Sequence, residues 1–143
     1  MHRRFPLAAM LALGVSMTGA VQTAAASNVV LGAAAFQPIG GQGWGTARPT
    51  RIFNGGDRSG LVREIQWTSW GGSTAIGYGL NAIFKPNGGY FSQSVLIELR
   101  ASGLGKCSSS GPPAYTHLSI RVPTRPEGPF RAWSSWAGAR SIC

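Results

Sequence analysis

The chain has 143 residues, one domain's worth of material, with 13 Lys and Arg against 4 Asp and Glu for a net charge of +9. Four carboxylates and two histidines leave little from which to assemble a metal site, and no metal or other cofactor is expected. The same basic balance makes anionic partners the natural class to consider.

The first residues read as an export signal. His2, Arg3 and Arg4 form a basic start, residues 7–21 are apolar, and Ala24, Ala25 and Ala26 supply the small side chains a signal peptidase reads. Residues 1–26 are therefore expected to be a signal peptide cleaved after Ala26, with Ala25 as the alternative. The apolar run falls short of the ~20 residues a spanning helix needs, and no later stretch is long or apolar enough, so no transmembrane anchor is expected after cleavage. The mature chain of 117 residues then carries +7, and nine of its eleven cations are arginine.

Residues 27–48 read as a flexible lead-in, either a first edge strand followed by an extended arm or without order: small apolar residues, then a turn-rich run from Pro38 to Gly45 around Trp44. A single β domain is expected over 49–143. A short β-prone run at 50–53 is stopped by Asn54-Gly55-Gly56-Asp57, a strong turn signal. Residues 61–70 alternate with period two, placing Leu61, Ile65 and Trp67 on one face and Val62, Glu64, Gln66, Thr68 and Trp70 on a more polar one. Gly71-Gly72-Ser73 turns the chain into 74–80, where Ala75, Gly77 and Gly79 share a face. Glycines lined up on one strand face imply something bulky across them, and Trp67 and Trp70 are the nearest candidates. The Lys85-Pro86-Asn87-Gly88-Gly89 tip leads into the clearest strand, 94–101, with Val95, Ile97 and Leu99 on one side and Glu98 and Arg100 on the other.

Residues 102–113 are rich in Gly, Ser and Pro and read as a long loop. Residues 115–122 alternate again, with Leu118, Ile120 and Val122 opposing His117 and Arg121. Three prolines then break the pattern over 123–129, and Trp133 and Trp136 lie in a tail suited either to a helical turn or to a last strand. No helical period is sustained for ten residues. The expected fold is all-β, a small antiparallel β-sandwich or barrel of five to seven strands. Cys107 and Cys143 admit one intramolecular pairing, and an exported chain favours it as a disulfide.

The run Ile65-x-Trp67-x-x-Trp70-Gly71-Gly72-x-x-Ala75-x-Gly77-x-Gly79 resembles a motif of small exported proteins of actinomycete type. The likeness extends through Val95, Ile97, Leu99, Cys107, Tyr115 and Leu118 and spans roughly 50–122. The resemblance implies export and a compact domain, and it carries no active-site residues. Some members have a second cysteine pair near the glycine-rich strand, which this chain lacks.

Chemistry has thin support. Glycoside hydrolysis needs two carboxylates across one bond, for which Glu64 and Glu98 are the candidates, each beside an arginine. A serine nucleophile would need His117 as its base, and no Gly-x-Ser-x-Gly elbow is present. Binding is better supported, since arginine's planar fork suits phosphate and carboxylate, and aromatic residues beyond core needs can stack on sugar rings. The candidate binding residues are Trp70, Trp44, Trp133, Arg63 and Arg100. The expectation is a secreted, non-catalytic binding or structural protein of the envelope or medium that contacts anionic cell-wall polymers or glycans, and not nucleic acid. The alternatives are a small secreted hydrolase using Glu64, Glu98 or His117, and an inhibitor or toxin that docks on another protein.

Overall fold

The computed structural model describes residues 28–37, 39–124 and 131–143. The expected signal peptide, its cleavage site and most of the proline-rich stretch lie outside the described residues.

The fold is all-β. Strands β1 (Val30–Leu31), β2 (Ile52–Phe53), β3 (Leu61–Trp67), β4 (Ala75–Asn81), β5 (Val95–Lys106), β6 (Pro113–Arg121) and β7 (Ser134–Ser135) form one sheet in the order β1-β6-β5-β4-β3-β2, with β7 also on β6. The run from β2 to β6 is an antiparallel meander, whereas β1 pairs with β6 in parallel, so the sheet is mixed where a purely antiparallel one was expected. The sheet curls into a half-barrel, and the segment 42–46 bridges its two edge strands. Leu31 on β1 exchanges backbone hydrogen bonds with Gly45 and Thr46, while Gln42 pairs with Phe53 on β2. Helical structure among the described residues is 3-10 alone, at Asn28 and in the turns Ala34–Phe36, Arg58–Gly60 and Trp136–Gly138.

This bridging corrects the flexible lead-in. Val29 and Leu31 are buried, and Trp44 is 1% exposed, with its Nε1–H donating to the Phe53 carbonyl and Phe36 edge-on to its ring. The domain thus takes in residues well before 49.

Two further expectations change for physical reasons. Strict alternation put Val62 and Ile65 on opposite faces of β3, yet both are buried. The register passes from Arg63↔Leu80 to Gln66↔Tyr78, three steps on β3 against two on β4, so a β-bulge inserts one residue. Glu64 sits in that bulge at φ 55. The stretch read as a loop from 102 continues as β5 to Lys106, because Leu104, Gly105 and Lys106 pair with Tyr115, Ala114 and Pro113. Pairing overrides the weak strand preference of Ser and Gly there, and Pro113 takes the first position of its strand, where a missing N–H is tolerated.

The glycine face of β4 points inward. A Cβ at Gly77 would lie 2.8 Å from Cε3 of Trp67, and one at Gly79 would lie 2.6 Å from Cγ1 of Val62. Trp67 therefore covers Gly77 as expected, while the aliphatic side chains of β3 cover Gly79. The same core cluster takes in Ile52, Ile97, Leu99, Leu118 and Ile142.

The tail does both things its composition allowed: β7 pairs with β6, and a 3-10 turn follows. Cys107 and Cys143 are joined by a disulfide with Cα atoms 5.1 Å apart. The bridge ties the end of the chain to the β5–β6 turn.

Candidate functional site

The outward side of the meander is built by alternation. Ile76, Tyr78 and Leu80 on β4 stand opposite Arg100, Glu98 and Leu96 on β5, and Glu98 in turn faces Arg121 on β6. Trp133, just before β7, lies across this face. Its ring centroid is 4.4 Å from the Arg100 guanidinium carbon and 4.7 Å from that of Arg121. Nε of Arg121 donates to Oε2 of Glu98 at 2.6 Å, and Glu98 is 7% exposed although it sits on the outward side. One arginine is thus neutralised by a carboxylate beneath the indole. Arg100 has no salt bridge among the described residues and keeps its charge on a half-exposed aromatic platform.

The other candidate residues have different surroundings. Trp70 is buried, donates its Nε1–H to the Val29 carbonyl at 2.9 Å, and meets Trp67 and Tyr115 edge-on. Trp44 is the buried indole of the 42–46 bridge between the edge strands. Neither indole presents a face to a ligand, which corrects their reading as exposed stacking residues. Their hydrophobic area and their N–H groups are both used inside the fold. Arg63 is exposed on β3 and bound to Glu64 at 2.5 Å, with Ser94 at 3.4 Å. Of the expected set, Trp133 and Arg100 come together and Arg63 lies apart. Arg121 completes the cluster; its outward placement was legible from the alternation of β6, but its partnership with Trp133 was not.

Glu64 and Glu98 are separated by β4, and each is bound to its own arginine. His117 is exposed, with Nδ1 2.8 Å from Oγ1 of Thr116. No group of three His, Cys, Asp or Glu side chains able to hold a metal occurs among the described residues.

A second feature is a cleft of about 450 Å³ at one end of the sheet, between the turn after β2, the exit of β4 and the C-terminal 3-10 turn. Trp136 lines it and donates Nε1–H to Oδ1 of Asn54 at 2.8 Å. Asn81 anchors the wall, donating from Nδ2 to the carbonyls of Ser59 and Leu61 at 2.9 and 2.7 Å. At the rim Phe84 stacks on Tyr90 with centroids 4.4 Å apart. The Tyr90 hydroxyl donates to Asp57, which holds that carboxyl below the ordinary aspartate range, and Arg58 lies over the Tyr90 ring. Sequence reading missed this cleft because its walls come from three separate loops.

No family model matches the chain, and neither a curated protein nor a solved structure matches it.

Proposed function

We propose that this is an exported, non-catalytic binding protein of the cell envelope or medium, whose outward β4–β5–β6 face contacts anionic wall polymers or acidic glycans. The observation that carries the reading is Arg100 held against Trp133 without a carboxylate partner among the described residues. Arg121 lies beside it on the same ring. A guanidinium offers a planar fork to phosphate or carboxylate, and an adjoining indole offers a stacking surface to a sugar ring. The wider charge balance points the same way. Each described side-chain carboxylate already has a partner: Tyr90 for Asp57, Arg63 for Glu64 and Arg121 for Glu98. The remaining excess of cations acts on the surroundings. The disulfide is in keeping with an oxidising compartment, and no helix of the described residues is long and apolar enough to cross a membrane.

The test is retention on isolated cell wall or on purified teichoic acid. Binding should hold at low salt, be released at about 1 M salt, where the Debye length is about 3 Å, and weaken in Arg100→Glu. Retention that ignores both salt and Arg100→Glu would remove the basis for this reading.

A further inference from the structure

The 450 Å³ cleft has a chemistry unlike the rest of the surface. In a chain with a net charge of +9, none of its lining residues is charged. Its floor is apolar, with Ile83, Ile120 and Trp136 each under a tenth exposed. Its size falls within the roughly 300–1,000 Å³ of pockets that enclose small molecules. A charged ligand placed there would give up its hydration with no opposite charge to replace it, so the lining selects against ions.

The polar groups are already arranged. Because Trp136 donates to Oδ1 of Asn54, the orientation of that amide is set, and Nδ2 has no hydrogen bond to a described residue. The Asn81 amide, by contrast, spends both its N–H groups on backbone carbonyls and serves the wall alone. An oriented amide donor, with Ser59, Ser134 and Ser135 also on the lining, over an apolar floor matches a hydrogen-bond acceptor on an otherwise apolar molecule. We propose that this cleft binds a small, uncharged, largely apolar molecule bearing one carbonyl oxygen, which Nδ2 of Asn54 receives. The site shares no residue with the arginine–tryptophan face and does not depend on the polymer-binding reading.

The probe is 6-propionyl-2-(dimethylamino)naphthalene, an uncharged aromatic ketone whose emission shifts to the blue on leaving water. Saturable one-to-one binding is expected, insensitive to salt, with chemical-shift changes at the Trp136 indole N–H and the Asn54 side-chain amide. Asn54→Asp keeps an acceptor for Trp136 but loses the donor, and affinity should fall about tenfold, the worth of one well-placed hydrogen bond. Ser134→Phe, on the half-buried β7 wall, should occlude the cleft and abolish binding while leaving salt-released polymer retention intact. Absence of a saturable blue shift, or a blue shift that persists in a folded Ser134→Phe protein, overturns the proposal. Should that variant fail to fold, the wild-type spectrum decides: shifts at Trp136 and Asn54 support the cleft, and shifts confined elsewhere refute it.

Discussion

Glu64 occupies a left-handed backbone conformation, φ 55, in the bulge of β3. That region costs a residue with a Cβ about 1–2 kcal/mol, and glycine almost nothing. Glu64→Gly is therefore expected to keep or raise the stability of the fold, despite losing an exposed ion pair worth about 0–1 kcal/mol. Glu64→Val should lower stability by about 1 kcal/mol or more, since branching at Cβ is least tolerated there. Denaturant titration of the two variants distinguishes a required bulge from an incidental one. The converse holds at Gly77 and Gly79, where an added methyl meets Trp67 or Val62 inside contact distance. Gly77→Ala and Gly79→Ala should each cost about 1–3 kcal/mol by overpacking. The glycine face was legible from the sequence because three small residues in alternation imply a bulky neighbour. The bulge was not, because nothing in Arg63-Glu64-Ile65 marks a left-handed residue.

Asp57 supplies a pH test at the same scale. The Tyr90 hydroxyl bond lowers its pKa, with the neighbouring Arg58 and Ser59 N–H groups adding to the effect. A carboxyl with a depressed folded pKa contributes stability above its unfolded pKa and loses it as pH falls through the folded value. The Asp57 carbon resonance should therefore titrate below the ordinary aspartate range in the wild type. In Tyr90→Phe it should move up toward that range, and an unchanged midpoint would show that the contact does not form in solution.

At the scale of elements, the Trp67–Trp70 stretch acts as a fastening. Trp70 donates to Val29, beside β1, while the Tyr115 hydroxyl on β6 accepts from Gly71 N–H at 2.7 Å and donates to the Gly72 carbonyl at 2.9 Å. The β3–β4 turn is thereby locked onto the far side of the curled sheet. Tyr115→Phe should cost about 0.5–1.5 kcal/mol, because it removes two hydrogen bonds to turn peptides that are only partly buried. Burial also raises the Tyr115 pKa, so its stabilising contribution, complete below the ordinary tyrosine range, is lost as pH rises through the raised value. The hairpin itself was readable from alternation around Gly71-Gly72-Ser73, but its attachment was not, since Val29 and Tyr115 are 41 and 45 residues from Trp70 in sequence.

The free edge of β6 is managed piecemeal. β1 covers its beginning, the Ile142 N–H reaches the Thr116 carbonyl, and β7 covers Ser119 and Ile120. An uncovered edge would be a template for pairing with another chain. The Cys107–Cys143 disulfide holds Ile142 in place, and removing it with Cys107→Ser and Cys143→Ser should cost about 3–4 kcal/mol. Amide exchange should rise first at Ile142, ahead of β5. The cysteine pairing was legible from a count of two in a chain expected to be exported, whereas the covering of an edge by three short pieces has no periodic signature.

For the whole molecule, the decisive division is between tryptophans that hold the fold and charge that faces outward. Trp44, Trp70 and Trp136 are buried and Trp67 packs on the core, while Trp133 lies on the arginine face. An indole at a strand end looks the same in sequence whether it closes a seam or caps a surface, and only the curl of the sheet assigns Trp44 and Trp70 to the interior. The cations, in contrast, were legible from composition, and alternation alone put Arg100 and Arg121 outside. The most direct measurement is the indole and guanidinium nitrogen spectrum during titration with teichoic acid at low salt. The account predicts shifts at Trp133, Arg100 and Arg121 that reverse when salt is added, with Trp44 and Trp70 unmoved. Shifts at those two buried indoles, or no response at Trp133 while polymer binds, would contradict it.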